Sequence, residues 1–438
     1  MDGASLAFAR IAFGLIVLWE SWRYAEKGWI HTYYVKPAFF FTYYGFDWVR
    51  PWPGNGMYLH FFALAVLAVF VAAGLFHRVA SALLFLAFTY VFLLDETRYL
   101  NHFYVVSILA LLIAFVPASN AMSLDARFGF VKRHGFVPTW SVWLLRAQLT
   151  IVYAYAGIAK LDHDWLRGEP MRSWLANRTE FPILGRVFRH EAAVTAFTWG
   201  GMGFDLAIAP LLLWRRSRPY AFVAAMLFHW MNDQLFTIGI FPWLMIGVST
   251  LFFDPGWPRR VFAFLQRTAT EAPVFRESRT VLAIGGVFLA LQLLVPLRHL
   301  LYPGVVAWTE EGHRFSWRMK LRDKDGTVSF RVRDPATNTE WVESSADLTK
   351  RQRGEMATHP DMLLQYAHHL AAKYAAKGQS VQVFATAKVT LNGREPQLLV
   401  DPEVDLAAQP RTLWPAAWIR PLEREAATHT VEAPEVED

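Results

Sequence analysis

Apolar runs of membrane-spanning length recur through the first 300 residues and then stop. A bilayer core needs about 20 apolar residues per helix. Nine segments approach or reach that length, at about 5–24, 56–76, 79–95, 101–117, 139–160, 193–214, 219–234, 236–253 and 280–300. Four connections are basic: 118–138, 254–279, the turn Arg215-Arg216-Ser217-Arg218, and His77-Arg78. If the spans alternate from a cytoplasmic N-terminus, all four fall on one side, and an excess of Lys and Arg marks the cytoplasmic side. The loop after Lys160 is long and carries both signs, so it weighs less in this argument. Nine crossings then place everything after about residue 300 outside the cytoplasm.

Beyond that point the period changes. Residues 327–333, 381–390 and 397–400 alternate apolar and polar like half-buried strands. Asn392-Gly393 lies between two of them, a strong hairpin signal. Between the strands, 360–377 has Met362, Leu363, Tyr366, Leu370 and Tyr374 at helical spacing. The expected architecture is a polytopic α-helical membrane bundle over 1–300. It is followed by an extracytoplasmic α+β, β-rich domain over 301–422. The tail 423–438 is acidic and polar, and is expected to be disordered.

Composition supports a membrane protein. Only 18% of residues are charged, against about a quarter in soluble domains, and the mean hydropathy is +0.22. Zero cysteines exclude disulfides, thiolate catalysis and cysteine-held metals. The net charge of +6 fits cytoplasmic loops; no basic run interleaved with aromatics suggests nucleic acid. Arg10 interrupts the first apolar stretch, and no small-residue cleavage pattern follows it. It is therefore read as a span and not a cleaved leader.

Three polar clusters carry the candidate chemistry. In IVYAYAGIAKLDHDW (151–165), Lys160 ends an apolar segment, a costly place for an amine and by default a functional one. A lysine serves as a base near neutral pH only when desolvation lowers its pKa. The plainer reading is a snorkelling interfacial lysine paired with Asp162 or Asp164. Asn101-His102 opens another span. His102 suits hydrogen bonding to a reacting oxygen, or simply caps a helix. In LFHWMNDQLFTIGIF (227–241), His229 and Asn232 share one helix face, and Gln234 points partly away. Such neutral donors suit quinone carbonyls; the alternative is interhelical polar glue. His102 and His229 alone make a poor metal site, and none is expected. Arg10, Arg146 and Asp205 are further intramembrane charges, expected to form ion pairs inside the bundle. Asp205 follows Gly200, Gly201 and Gly203, which suggests close helix packing.

Six ordered blocks together resemble the vitamin K-dependent gamma-glutamyl carboxylase family, over about residues 5–422. They are FLLDETRYLNHFYV (92–105), YAYAGIAKLDHDWLRG (153–168), FHWMNDQLFTIGIFP (228–242), WTEEGHRFSWRM (308–319), HPDMLLQYA (359–367) and LLVDPEVDL (398–406). The resemblance implies an enzyme that oxidises reduced vitamin K, as phylloquinol or menaquinol, with O2. The strong base so formed removes a γ-proton from a peptide glutamate, and CO2 adds to the carbanion to give gamma-carboxyglutamate. A glutamate γ-carbon is too weak an acid for any side-chain base, so the oxygen base must form where water is excluded. By this resemblance Lys160 is the catalytic base, with His102 and His229 beside it. Asn101, Asn232 and Gln234 hold the quinone. Trp308, His313, Arg314 and Trp317 meet the glutamyl substrate, unless that block is an aromatic belt at the membrane surface.

Two departures qualify the resemblance. The chain stops soon after the β-rich domain, where animal members continue, and their cysteine pair is missing. Both suggest a bacterial inner-membrane homologue with residues 301–422 in the periplasm. Glu310, Glu311 and His313 also differ from the less charged residues of animal members, which leaves the protein substrate open. Two other functions fit the same residues: a quinol epoxidase that carboxylates nothing, and a non-enzymatic transporter or lipid-binding protein. No paired broken helices of the transporter kind are visible in matching halves.

Overall fold

The computed structural model describes residues 1–131, 135–182, 184–236, 238–262, 275 and 278–423. The acidic tail from 424 onward and most of 263–277 lie outside the described residues. The chain forms two compact units that interleave in sequence. One comprises Met1–Leu301, Gly312–Asp323 and Ser345–Arg353; the other comprises Tyr302–Glu311, Lys324–Ser344 and Gly354–Asp438.

The first unit is helical. Its long helices are α1 (Ala4–Glu26), α2 (Gly56–Ala73), α3 (His77–Leu93), α4 (Asn101–Phe115), α5 (Thr139–Ala159), α6 (Glu191–Leu213), α7 (Arg218–Phe236), α8 (Phe241–Ser249) and α9 (Arg279–Leu294). A 3-10 segment, Val295–Leu301, extends α9. All nine apolar segments expected from the sequence are thus helical. Among the described residues, five helices are long and apolar enough to cross a membrane: Ala4–Glu26, Gly56–Ala73, Thr139–Ala159, Glu191–Leu213 and Arg279–Leu301. α3, α4 and α8 are shorter. α3 and α4 are separated by the polar turn Asp95–Arg98, and α8 begins only after Gly239, whose φ of 65° is not helical. Only 11% of the most apolar window of Arg279–Leu301 is buried within the chain. Such an apolar surface would be a large exposed patch in water, which is the physical case for a lipid environment.

α1 packs along α2, and α5 along α6. A side chain at Gly14 would meet the backbone of Ala68 and Ala72 at 2.7 Å, so α1 and α2 approach closely there. Two of the three buried charges behave differently from the sequence expectation. Arg10 donates to the backbone oxygens of Ala118, Val71, Ala72 and Met122 at 2.5–3.1 Å. Arg146 donates to those of Leu251 and Phe253. Neither makes a carboxylate ion pair among the described residues. The guanidinium forks thus satisfy backbone carbonyls at the end of α2, in the turn 118–122 and at residues 251–253.

The second unit holds one antiparallel sheet in the order β2-β1-β3-β4, from β1 (Lys324–Asp334), β2 (Thr339–Glu343), β3 (Gln382–Leu391) and β4 (Gln397–Leu398). In β3 the alternate residues Val383, Ala385, Ala387, Val389 and Leu391 are buried. Across the pair, Phe330 of β1 faces Ala385 and Val332 faces Val383. Helix α10 (Pro360–Ala375) turns Leu363, Tyr366, Ala367 and Leu370 inward, with the Tyr366 ring 5.1 Å from Phe330. Asn392 and Gly393 both take positive φ in the connection from β3 to β4. The sequence pattern missed β2, where the apolar Trp341 and Val342 are adjacent, so TEWVE does not alternate in residue type although burial alternates from Glu340 to Glu343.

Candidate active site

A cavity of about 830 Å³ opens within the first unit. Its walls come from α1, the start of α4, the end of α5, the middle of α6, the polar half of α7, and residues 313–322. The volume lies in the usual range for small-molecule sites, about 300–1,000 Å³.

Lys160 is the residue that stops α5, at the helix C-cap. Its Nζ donates to Asp205 Oδ2 at 2.6 Å and to the Ala156 carbonyl at 3.3 Å. Both side chains of this ion pair are only 8% exposed. The Trp165 ring centroid lies 5.3 Å from Nζ, and the Trp165 indole is fixed by its bond to the Thr198 carbonyl. The neighbouring aspartates have other tasks. Asp162 accepts from the Asp164 amide to cap the next turn, and lies 3.6 Å from Arg318. Lysine and carboxylate meet because α5 and α6 touch at Gly157, where a side chain would strike Leu206 at 2.7–2.9 Å, backbone included. Gly200 and Gly203, by contrast, have open space around them. The glycines ahead of Asp205 are therefore not where the helices close up; Gly200 and Gly201 instead line the cavity.

Asn101 Oδ1 accepts from the Tyr99 hydroxyl at 2.9 Å, and that hydroxyl in turn accepts from the Phe315 amide. The His102 ring lines the cavity against Phe103 and Phe241. His229 Nε2 lies 2.8 Å from the Tyr153 hydroxyl, while its buried Nδ1 has no hydrogen-bond partner among the described residues. Asn232 also lines the cavity. Gln234 is exposed, bonds to Asp233 and is not on the cavity wall.

The block 308–319 divides. Trp308 belongs to the second unit, where its indole donates to the Arg420 carbonyl and Lys324 lies over its ring. Arg314 pairs with Glu96 at 2.8 Å and is off the cavity wall. Trp317 is fully buried and stacks on Tyr104 at 4.8 Å. Of the four residues expected to meet substrate, His313 alone lines the cavity. Arg318, Lys320 and Arg322 line it as well. Positive φ at Phe315, Trp317 and Lys320 lets the backbone send aromatics inward and basic groups to the cavity. Each such residue costs on the order of 1–3 kcal/mol, and such strain clusters at functional sites.

Asp95 lies past the end of α3, in the turn that leads to the cavity-lining residues 98–103. Its carboxylate accepts from the Thr97 amide and hydroxyl and from Gln352. Burial pushes its pKa up to about 6, against these bonds. With the native value raised, the folded state holds the proton longer, so stability falls as pH rises from about 4 to about 6. Asp95→Asn is expected to flatten that slope, worth at most about 3 kcal/mol. Thermal midpoints in detergent from pH 4 to 7 check it; an unchanged slope would discard this origin.

The described residues thus form an apolar helical bundle with a buried amine–carboxylate pair on a ligand-sized cavity. The family comparison narrows this. Residues 1–257 match the HTTM domain and residues 277–425 match the vitamin K-dependent gamma-carboxylase lumenal domain. The chain belongs to the vitamin K-dependent gamma-carboxylase family. No solved structure matches it.

Proposed function

We propose that this protein is a vitamin K-dependent gamma-glutamyl carboxylase. It oxidises reduced vitamin K to the epoxide with O2 and adds CO2 to a glutamate of a peptide or protein. The observation that carries this reading is the buried Lys160–Asp205 pair on a cavity that also presents His102, His229, Asn101 and Asn232. The cavity's aromatic walls, among them Tyr24, Trp29 and Tyr33, and its neutral polar groups fit a naphthoquinol ring. Bound there, reduced vitamin K with O2 supplies the strong oxygen base that glutamate deprotonation requires.

The chain's own groups do the rest. The Lys160–Asp205 pair, held at 2.6 Å on the cavity wall, is the group that takes the proton of the quinol hydroxyl, with Asp205 fixing the amine in place. At His229 an unprotonated Nδ1 costs less than an orphaned N–H, so Nε2 carries the proton and donates to Tyr153. Tyr153 keeps its own O–H for a cavity ligand. His102, without a hydrogen bond among the described residues, is placed to meet a developing carbanion or carboxylate. The C-terminal domain is extracytoplasmic in this reading, in a bacterial inner membrane.

The test supplies purified protein in detergent with reduced vitamin K, O2, labelled bicarbonate and a short glutamyl peptide. Epoxide and fixed label are counted together. Both products are expected. Epoxide without label would favour an uncoupled quinol epoxidase, and neither would leave a binding or transport protein.

A further inference from the structure

The cavity wall is electrostatically lopsided. Among the described residues, seven basic side chains line it, and only two carboxylates. Both carboxylates are already engaged, Glu20 by Arg23 and Asp205 by Lys160. Among the basic groups from 313–322, Arg318 faces Asp162 and Arg322 contacts the His313 ring. Lys320 has neither a hydrogen bond nor an ion pair among the described residues. Its ammonium lies 5.2 Å from the Trp174 ring centroid and 5.6 Å from that of Phe236. Lys320 as a whole remains exposed, and desolvation beside these rings lowers its pKa, against the pull of Asp323. The backbone accepts a φ of 51° to place it there. An ammonium held over aromatic faces, with no anion of its own, leaves its remaining donors for a ligand. The next residue, Leu321, packs in one cluster with Ala159 and Trp165, which flank Lys160. The free ammonium thus emerges beside the reactive amine's own wall.

We infer that Lys320 forms a carboxylate subsite of the cavity, holding a side-chain carboxylate of the substrate between its ammonium and the basic wall of Arg318 and Arg322. This rests on the carboxylase reading, and it assigns the substrate's anion to a residue outside the sequence-derived site. Two carboxylates have the required chemistry: the one that glutamate brings and the one that carboxylation creates. A point-charge donor on a flexible stem suits either.

The test is equilibrium binding, which needs no turnover. Fluorescently labelled pentapeptides carrying Glu, gamma-carboxyglutamate or Gln at one position are titrated against full-length protein in detergent by anisotropy. The wild type is expected to prefer the acidic peptides over Gln by about tenfold, one charge-assisted contact in a partly dry site. Lys320→Met should erase the preference and Lys320→Arg should keep it within about threefold. Lys320→Gln provides a second neutral variant if Lys320→Met fails to fold. Loss for both acidic peptides assigns the subsite to the incoming carboxylate; loss for gamma-carboxyglutamate alone assigns it to the new one. A wild type that does not discriminate, or a neutral variant that discriminates as wild type does, overturns the subsite. Absence of epoxide and fixed label from the wild type overturns the carboxylase reading instead.

Discussion

Lys160→Ala is expected to remove epoxide formation and carbon fixation together, each by at least about a hundredfold, the scale of a lost general base. The structure adds a complication that a surface lysine would not bring. Its removal leaves Asp205 buried without its cation, and breaking such a pair from one side costs about 3–5 kcal/mol. Lost activity in the single variant therefore mixes chemistry with destabilisation. Lys160→Ala/Asp205→Asn separates them: a neutral amide removes the stranded charge, so the thermal midpoint should recover while activity stays absent. Quinol oxidation at the wild-type rate in Lys160→Ala would end the base assignment.

Gly157→Ala changes no charge and touches no ligand, yet it should cost about tenfold to a hundredfold in epoxide formation. The new methyl carbon would lie 2.7 Å from Leu206 Cδ2 and 2.9 Å from the Leu206 amide nitrogen. The side chain can turn away, but the backbone cannot, so α6 must back off from α5. Overpacking of this kind costs about 1–3 kcal/mol. The displaced backbone belongs to the residue after Asp205, so the 2.6 Å contact with Lys160 opens. Misplacement of a reacting group by about 1 Å commonly costs about a hundredfold. The midpoint in detergent and the epoxide rate should fall together. A wild-type rate with the methyl in place would show that the contact with Asp205 does not matter to the base.

The apolar periods were sufficient to place all nine helical segments, because the cost of unsatisfied backbone in lipid ties hydropathy closely to helices. They overstated how many are long enough to cross, since polar turns such as Asp95–Arg98 and Gly239 cut the runs short. Strands β1 and β3 followed from their alternation; β2 lacks it in residue type.

At the site, the sequence by itself determined which residue types had no cheap reason to be where they are. Lys160, Asn101-His102 and His229-x-x-Asn232 are polar groups inside or at the edge of apolar helices, and burial penalties make such positions conspicuous in one dimension. Only the tertiary structure decided partners. Asp205 lies 45 residues from Lys160, while Asp162 and Asp164 are nearer in sequence and face elsewhere. Helix packing at Gly157 made that choice, and packing is a property of two surfaces, which no single segment encodes. The same reason separates Trp308, Arg314 and Trp317 from the cavity and brings Lys320 to it: reversals of backbone φ inside one short segment redirect neighbouring side chains. Residue type and spacing show what a chain can do chemically, and the contact between distant elements settles which groups do it together.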